Sequence, residues 1–376
     1  MKSISLLTSI VLFFSGCGSM RQMMGMGKPE KSNPMIRVSL ENKKIISIPL
    51  EKYLLGVISK EVPADWPLEA LKAQAVASRT YAMYRKEHPR DSKFDVSSTT
   101  ADQVFDKKHQ YPAALIQAIQ ETKGEILTYQ GNIFEAFFHS ACGGASEKAS
   151  HVWAGDYPPP LESSHEDPFC SAAPHRDWTY TVSEETLENI LKDKNYFLPK
   201  DWNIGIDQRD DLGRVQALSI ESTAEGKKKN KTVQILNANT LREMVGYSNL
   251  HSTLFELSED DNGIVFTGKG SGHGVGLCQW GAKGQAEEGK NYRDILNFYY
   301  PGSDLMPLDQ KLIIKETDIE KLEKIESSNT AIQPEPSQPE NTQPENLQEN
   351  TKKEEMKTSK PHNGVEAIIS NLPDQK

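Results

Sequence analysis

Glu61 stands in the stretch KEVPADWPLEALKAQAVASRTYA, residues 60–82, between two runs with helical spacing. It closes the run LEKYLLGVISKE, so it falls at a helix C-terminus. The aligned peptide dipoles leave partial negative charge there, which disfavours a carboxylate and favours the carboxylic acid. Val62, Pro63 and Trp66 follow and would desolvate the group in the same direction, whereas Lys60 would oppose it if its ammonium points the same way. A glutamate that stays protonated near neutral pH is what a general acid requires. A solvated charge at a helix end is the other reading of the same residue.

Three further groupings carry possible chemistry. On the following helix, Gln74, Ser78, Tyr81 and Arg85 share one face, and Lys72 and Arg79 share another. Gln74, Arg79 and Tyr81 lie amid small residues and are candidates for lining a cleft, while Lys72 and Arg85 read as solvated. In GKGSGHGVGLCQWGAKG, residues 268–284, alternate glycines leave one face of an extended chain bare, so another backbone or a ligand can approach closely. His273 and Gln279 could hydrogen-bond a polar, uncharged substrate there, or His273 could simply be satisfied in a structural crossover. The third grouping joins FFHSACGG to SSHEDPFCSAAPH. His139, Cys142 and Cys170, with His165 or His175, could hold zinc. A Cys142–Cys170 disulfide is the alternative in an oxidising compartment. Cys278 reads as a small buried residue. Neither HExxH nor GxSxG occurs, and the glycine run lacks phosphate-loop spacing.

The elements that must hold these residues read as α+β. A short hairpin, MIRVSLE and KKIISIPL, precedes the two helices, and AALIQAIQETKG is a third. Strand-like runs follow in EILTYQ, NIFEAFFHS, WTYTVS, VQALSIES, TVQILN, STLFELS and GIVFTGKG, and YRDILNFYYPG closes the body as a last helix. The expected organisation is a leader over 1–17, a spacer over 18–33, a body over 34–310 containing a possible subdomain at 178–265, and a disordered Pro/Glu/Gln/Asn-rich tail over 311–376.

The formal net charge of −10 and the absence of a basic stripe exclude nucleic acid as a partner, and KKKNK at 227–231 reads as a solvated hairpin tip. MKSISLLTSIVLFFSGC has the positive start, apolar run and small residues of a secretory signal. The cysteine after FSG resembles a bacterial lipoprotein signal, with Cys17 as the lipidated residue. Export and a lipid anchor follow as expectations. In a Gram-negative cell the anchor would be in the outer membrane facing the periplasm, since Gly18 stands where an aspartate would favour inner-membrane retention.

The segments GVISKEVPADWPLEALKAQAVASRTYA, FFHSACGG, LHSTLFEL and GHGVGLCQWGAKGQAEEG occur in an order that resembles the sporulation stage II protein D / amidase-enhancer (LytB) family, across roughly residues 35–302. The resemblance implies a peptidoglycan lytic transglycosylase that cleaves between N-acetylmuramic acid and N-acetylglucosamine on strands stripped of stem peptides. It also implies that Glu61, the glutamate of the family's E-x-P segment, is the catalytic residue. Members can carry zinc near the FHS region, which points to His139; no cofactor is required for the chemistry. A non-catalytic glycan-binding module that stimulates a cell-wall amidase is the competing reading. Ordinary hydrolysis would need a second carboxylate such as Asp65 or Asp95. Trp66, Trp153 and Trp280 could stack on sugar faces.

Overall fold

Apolar alternation in MIRVS and IISIP builds an antiparallel hairpin of β1 (Met35–Ser39) and β2 (Ile45–Pro49). In this computed structural model, which describes residues 33–107, 110–174, 176–222 and 234–309, β2 runs directly into α1 (Leu50–Glu61). That helix stops because Val62 is extended (φ −139°, ψ 147°), the conformation forced on a residue preceding proline. Pro67 then caps α2 (Leu68–Glu87), and its alanines let neighbouring elements close on nearly every side of it. β3 (Val96–Ser97) pairs parallel with β1, and α3 (Ala113–Glu121) packs on α1 and α2.

Next come β4 (Glu125–Tyr129) and β5 (Asn132–Ile133), then β6 (Phe138–His139) and the short α4 (Ala149–Val152). The expected strand NIFEAFFHS is broken into β5 and β6, because the Phe137 N–H turns back to the Glu135 carbonyl at 2.7 Å. β7 (Asp177–Val182), α5 (Glu184–Asp193), β8 (Trp202–Arg209), β9 (Val215–Ser222), β10 (Gln234–Asn237), α6 (Ala238–Val245), β11 (Phe255–Asp260) and β12 (Gly263–Lys269) follow. They form two three-stranded sheets, ordered β10-β9-β8 and β11-β12-β7, around a core that runs from Trp178 to Phe266. A separate, larger core is built on α1 and α2.

The chain returns to that first core through β13 (Leu277–Cys278), α7 (Gln279–Glu287), α8 (Tyr292–Tyr299) and β14 (Asp304–Pro307). β13 pairs parallel with β6 and β14 antiparallel with β4, so the last elements are laid against the first. The fold is α+β. α4, α5, α6, α7, β3, β8, β13 and β14 have no counterpart among the expected elements. No helix among the described residues is long and apolar enough to cross a membrane. The leader with Cys17, nearly all of the spacer, the basic loop at 227–231, His175 and the tail lie outside the described residues.

Two expectations for α2 are corrected here. Arg79, expected in a cleft, is fully buried and forks onto Glu51, with Nε to Oε1 at 3.0 Å and Nη2 to Oε2 at 2.8 Å, and it also donates to the Glu125 carbonyl at 3.1 Å. Arg85, expected in solvent, is buried and paired with Glu135. Arg79 ties α2 to α1 and to β4, and Arg85 ties it to the segment after β5. Breaking a buried pair by removing one partner strands the other charge, so Glu51→Gln should lower unfolding stability by about 3–5 kcal/mol. Guanidinium chloride titration checks this; a loss below ~1 kcal/mol would contradict the structural role.

Candidate active site

Glu61 is the last residue of α1 and Gln279 the first of α7. The Gln279 Nε2 donates to Glu61 Oε2 at 3.0 Å across 218 residues of sequence. Several contacts fix Gln279 in place. Cys278 is held in the β13–β6 ladder opposite His139, and its Sγ accepts the Gly281 N–H at 3.3 Å, capping α7. The Trp280 N–H donates to the Ser140 carbonyl at 3.0 Å. Trp66 and Trp280 meet edge to face, with ring centroids 5.0 Å apart, and Trp280 keeps part of its surface exposed.

The Glu61 carboxyl is crowded by protein yet only partly shielded from water. Burial pushes its pKa up from the ordinary value of 4.5 to about 7, and the Gln279 hydrogen bond, which favours the carboxylate, opposes part of that shift. Lys60 does not offset it; its ammonium faces Asp106 at 3.5 Å. Below, on the same helix, the Tyr53 hydroxyl donates to Gln103 Oε1 at 3.1 Å, and Gln103 Nε2 to the Ser78 carbonyl at 3.3 Å. This buried polar chain pins α1 to α2.

The other expected contacts are placed differently. Tyr81 is buried and donates to Asp102 Oδ1 at 3.0 Å. Gln74 is buried, with Nε2 on Ser78 Oγ at 3.0 Å and its carbonyl oxygen unpaired among the described residues. His273 has both ring nitrogens occupied: Nδ1 accepts the Val275 N–H at 3.1 Å and Nε2 donates to the Phe138 carbonyl at 3.0 Å. Burial, with Arg242 and Arg214 nearby, pushes its pKa down to about 3, so it stays neutral. The bare face of the glycine run meets protein. A Cβ on Gly272 (φ +119°) would lie 2.6 Å from His139 Cβ, and one on Gly276 (φ +66°) 2.1 Å from the Phe137 carbonyl. Of the five expected substrate contacts, Gln279 alone touches Glu61.

The proposed metal ligands are regrouped. Cys142, Asp167, Cys170 and Cys278 each offer a ligand atom, all within 4.8 Å of one another and all buried. Cys142 Sγ lies 3.3 Å from Cys170 Sγ and 3.2 Å from Asp167 Oδ2. The two sulfurs are unbonded, far beyond the ~2.05 Å of a disulfide. Neighbouring thiols that donate to it pull Cys170 down to about 3, while burial pushes Cys142 and Cys278 up. The Tyr299 hydroxyl donates to Asp167 Oδ2 at 2.8 Å and orients it. Three sulfurs and one carboxylate, supported by backbone N–H groups and a hydroxyl, suit a tetrahedral zinc ion.

His139 is outside this group. Its Nδ1 donates to the Val275 carbonyl at 3.1 Å and its buried Nε2 has no partner among the described residues. His165 packs its ring on Phe298 at 4.4 Å. Asp167 and Cys278 are the members of this candidate group that sequence reasoning misses. The adjacency of Asp167 to Cys170 in DPFC was the available signal. A cavity of about 920 Å³ lies beside the cluster, lined by Cys170, Arg176, Trp178 and Lys269, and holds none of the residues around Glu61.

A helix-end acid with its pKa at about 7, bonded by an amide that follows a distant glycine-rich turn, defines a single-carboxylate site on an α+β scaffold. Residues 40–129 match the stage II sporulation protein family, and residues 171–276 match a domain of unknown function, DUF8618. The chain is similar to stage II sporulation protein D of Bacillus amyloliquefaciens, at 31% identity over 75% of this chain and 80% of that protein. It is also similar to the amidase enhancer of Bacillus subtilis, at 30% identity over 67% of this chain but 40% of that protein. An uncharacterized protein of Brachyspira hyodysenteriae is 36% identical over 68% of this chain and 66% of its own length. The chain belongs to the stage II sporulation protein D / amidase enhancer family.

The raised pKa makes a stability prediction. Folded Glu61 keeps its proton up to about pH 7, whereas the unfolded chain loses it near 4.5. The stabilisation is therefore complete below 4.5 and is lost as pH rises through 7. Glu61→Gln should raise the Tm at pH 8, by roughly 2–4 °C for each kcal/mol recovered, and leave it nearly unchanged at pH 4.5. Equal effects at both pH values, read by calorimetry, would contradict the shift.

Proposed function

We propose that this chain is an exported, lipid-tethered lytic transglycosylase that cuts the bond between N-acetylmuramic acid and N-acetylglucosamine in peptidoglycan strands, including strands stripped of stem peptides. The observation that carries this reading is Glu61 itself, a carboxyl with its pKa at about 7 and an amide donor on one oxygen. No second carboxylate among the described residues contributes to its shift. Asp95, a candidate partner for hydrolysis, is buried and accepts from Arg37.

Protonated Glu61 gives its proton to the glycosidic oxygen, and the C1–O bond breaks with its electron pair going to that oxygen. The new carboxylate is steadied by the Gln279 N–H, the kind of donor placed where charge develops. It then takes the proton of the muramyl 6-hydroxyl while that oxygen bonds to C1. A 1,6-anhydro ring forms, Glu61 is again an acid, and no water is consumed. Partly exposed Trp280, beside Gln279, supplies a face for a sugar ring. Cys142, Asp167, Cys170 and Cys278 would hold a structural zinc ion in this reading, and the ion would cross-link the segments that carry them. A second reading, a glycan-binding partner that stimulates a cell-wall amidase, is favoured by the similarity to the amidase enhancer of Bacillus subtilis.

Purified glycan strands, with and without stem peptides, separate the two. Wild type should release anhydro-muramyl products, Glu61→Gln should lose about 10²–10⁴-fold in rate, and the rate should fall as pH rises through 7. Intact strands with retained binding would overturn the enzyme in favour of the amidase partner, and reducing-end products would mean hydrolysis.

Elemental analysis of the protein purified without chelator should find one zinc per chain, lost in Cys142→Ser and Cys278→Ser. Metal-free protein of native Tm would contradict the metal site.

A further inference from the structure

Away from Glu61, a cavity of about 260 Å³ opens between the last turn of α2, the end of β4 and the segment after β5. Its walls include Tyr84, Tyr129, Phe134 and Tyr157, with Asn132 and Glu135 at polar positions. The rings are held before any ligand arrives. Tyr84 stacks on His88 with centroids 4.4 Å apart and planes 25° apart. Tyr157 meets Phe137 edge to face at 6.4 Å. Glu135 is anchored by Arg85 and by Arg90 at 3.5 Å, which leaves no free cation among the lining residues to attract an anion. Neither the Tyr84 nor the Tyr157 hydroxyl is bonded to another described residue, so both remain available to a ligand.

A small, partly enclosed cavity with flat apolar walls and neutral or acidic polar tips suits a ring with one C–H face and a rim of hydroxyl donors. It is too small for a peptide helix. Its position relates it to Glu61. Ser140, whose carbonyl receives the Trp280 N–H beside Gln279, is five positions along the chain from Glu135 on its wall. Along the chain that span is at most about 18 Å. Trp153 packs beside this segment, 4.3 Å from Phe137, 6.5 Å from Tyr157 and 5.0 Å from His273. We propose that the Tyr84–Tyr129–Tyr157–Glu135 cavity is a remote glycan subsite that takes one N-acetylhexosamine unit of a strand whose scissile bond lies at Glu61. This rests on the transglycosylase reading and adds to it a residue set that governs strand length.

The test uses N-acetylglucosamine oligomers of two to six units and the full chain carrying Glu61→Gln, with binding read by calorimetry. The hexamer should bind more tightly than the trimer, and Tyr84→Ala or Tyr157→Ala should weaken hexamer binding about tenfold. Tyr157→Phe, which keeps the ring, should lose less. In the background with Glu61 intact, Tyr157→Ala should raise KM for long strands with kcat little changed, a split that a folding defect does not produce. Hexamer affinity unchanged in both alanine variants overturns the subsite and leaves the transglycosylase reading standing. Preference for the de-N-acetylated hexamer, lost in the same variants, overturns it in favour of an ammonium-binding cage. Failure of the Glu61→Gln parent to bind any oligomer overturns both.

Discussion

The hydrogen bond from Gln279 to Glu61 depends on nearly every long-range feature of the fold. It requires the last helices to return to the first, which the parallel β13–β6 pairing and the antiparallel β14–β4 pairing enforce. It requires α1 to stop at Glu61, which Pro63 enforces through Val62. It also requires a chain path before α7 tight enough to bring residues 272–276 against His139 and Phe137, and only glycines admit that path. A carboxyl at a helix end would ordinarily be solvated. Enclosed by these returning segments, it holds its proton near neutrality and keeps one donor to meet the charge when the proton leaves.

The buried ionic groups divide the labour. Arg79–Glu51, Arg85–Glu135 and Tyr81–Asp102 lock α2 into its surroundings, and these contacts occupy the polar ends of Arg79 and Tyr81. Such pairs contribute little net stability but penalise any arrangement that leaves one partner alone in the interior. Cys278 links the two halves of the site. Its sulfur belongs to the thiol–carboxylate group, its backbone precedes Gln279, and it caps the helix that Gln279 begins. Whatever occupies that group therefore bears on the geometry at Glu61.

Glu61 is legible in the sequence because its cause is local: a helix end, a following proline and apolar neighbours within a few residues. The α+β class and most strands are legible for the same reason, through their hydrophobic period. The direction of Arg79 and Tyr81 is not, because a helix as evenly buried as α2 has no polar face for periodicity to find. Nor is the Cys278–Asp167 membership of the thiol group, which exists only once residues far apart in sequence meet. The glycine run is legible as a close approach, but the sequence alone does not say whether protein or ligand makes it. Here it is the 137–147 segment.

The central claim is that Glu61 is an acid held near neutrality by its cleft and moderated by Gln279. Carbon-13 NMR titration of the side-chain carboxyls, with Glu61→Gln assigning the resonance, measures it directly. A midpoint near 7 that moves higher in Gln279→Leu, where the donor is gone, is the expected result. A midpoint near 4.5, or one that Gln279→Leu leaves in place, would contradict it.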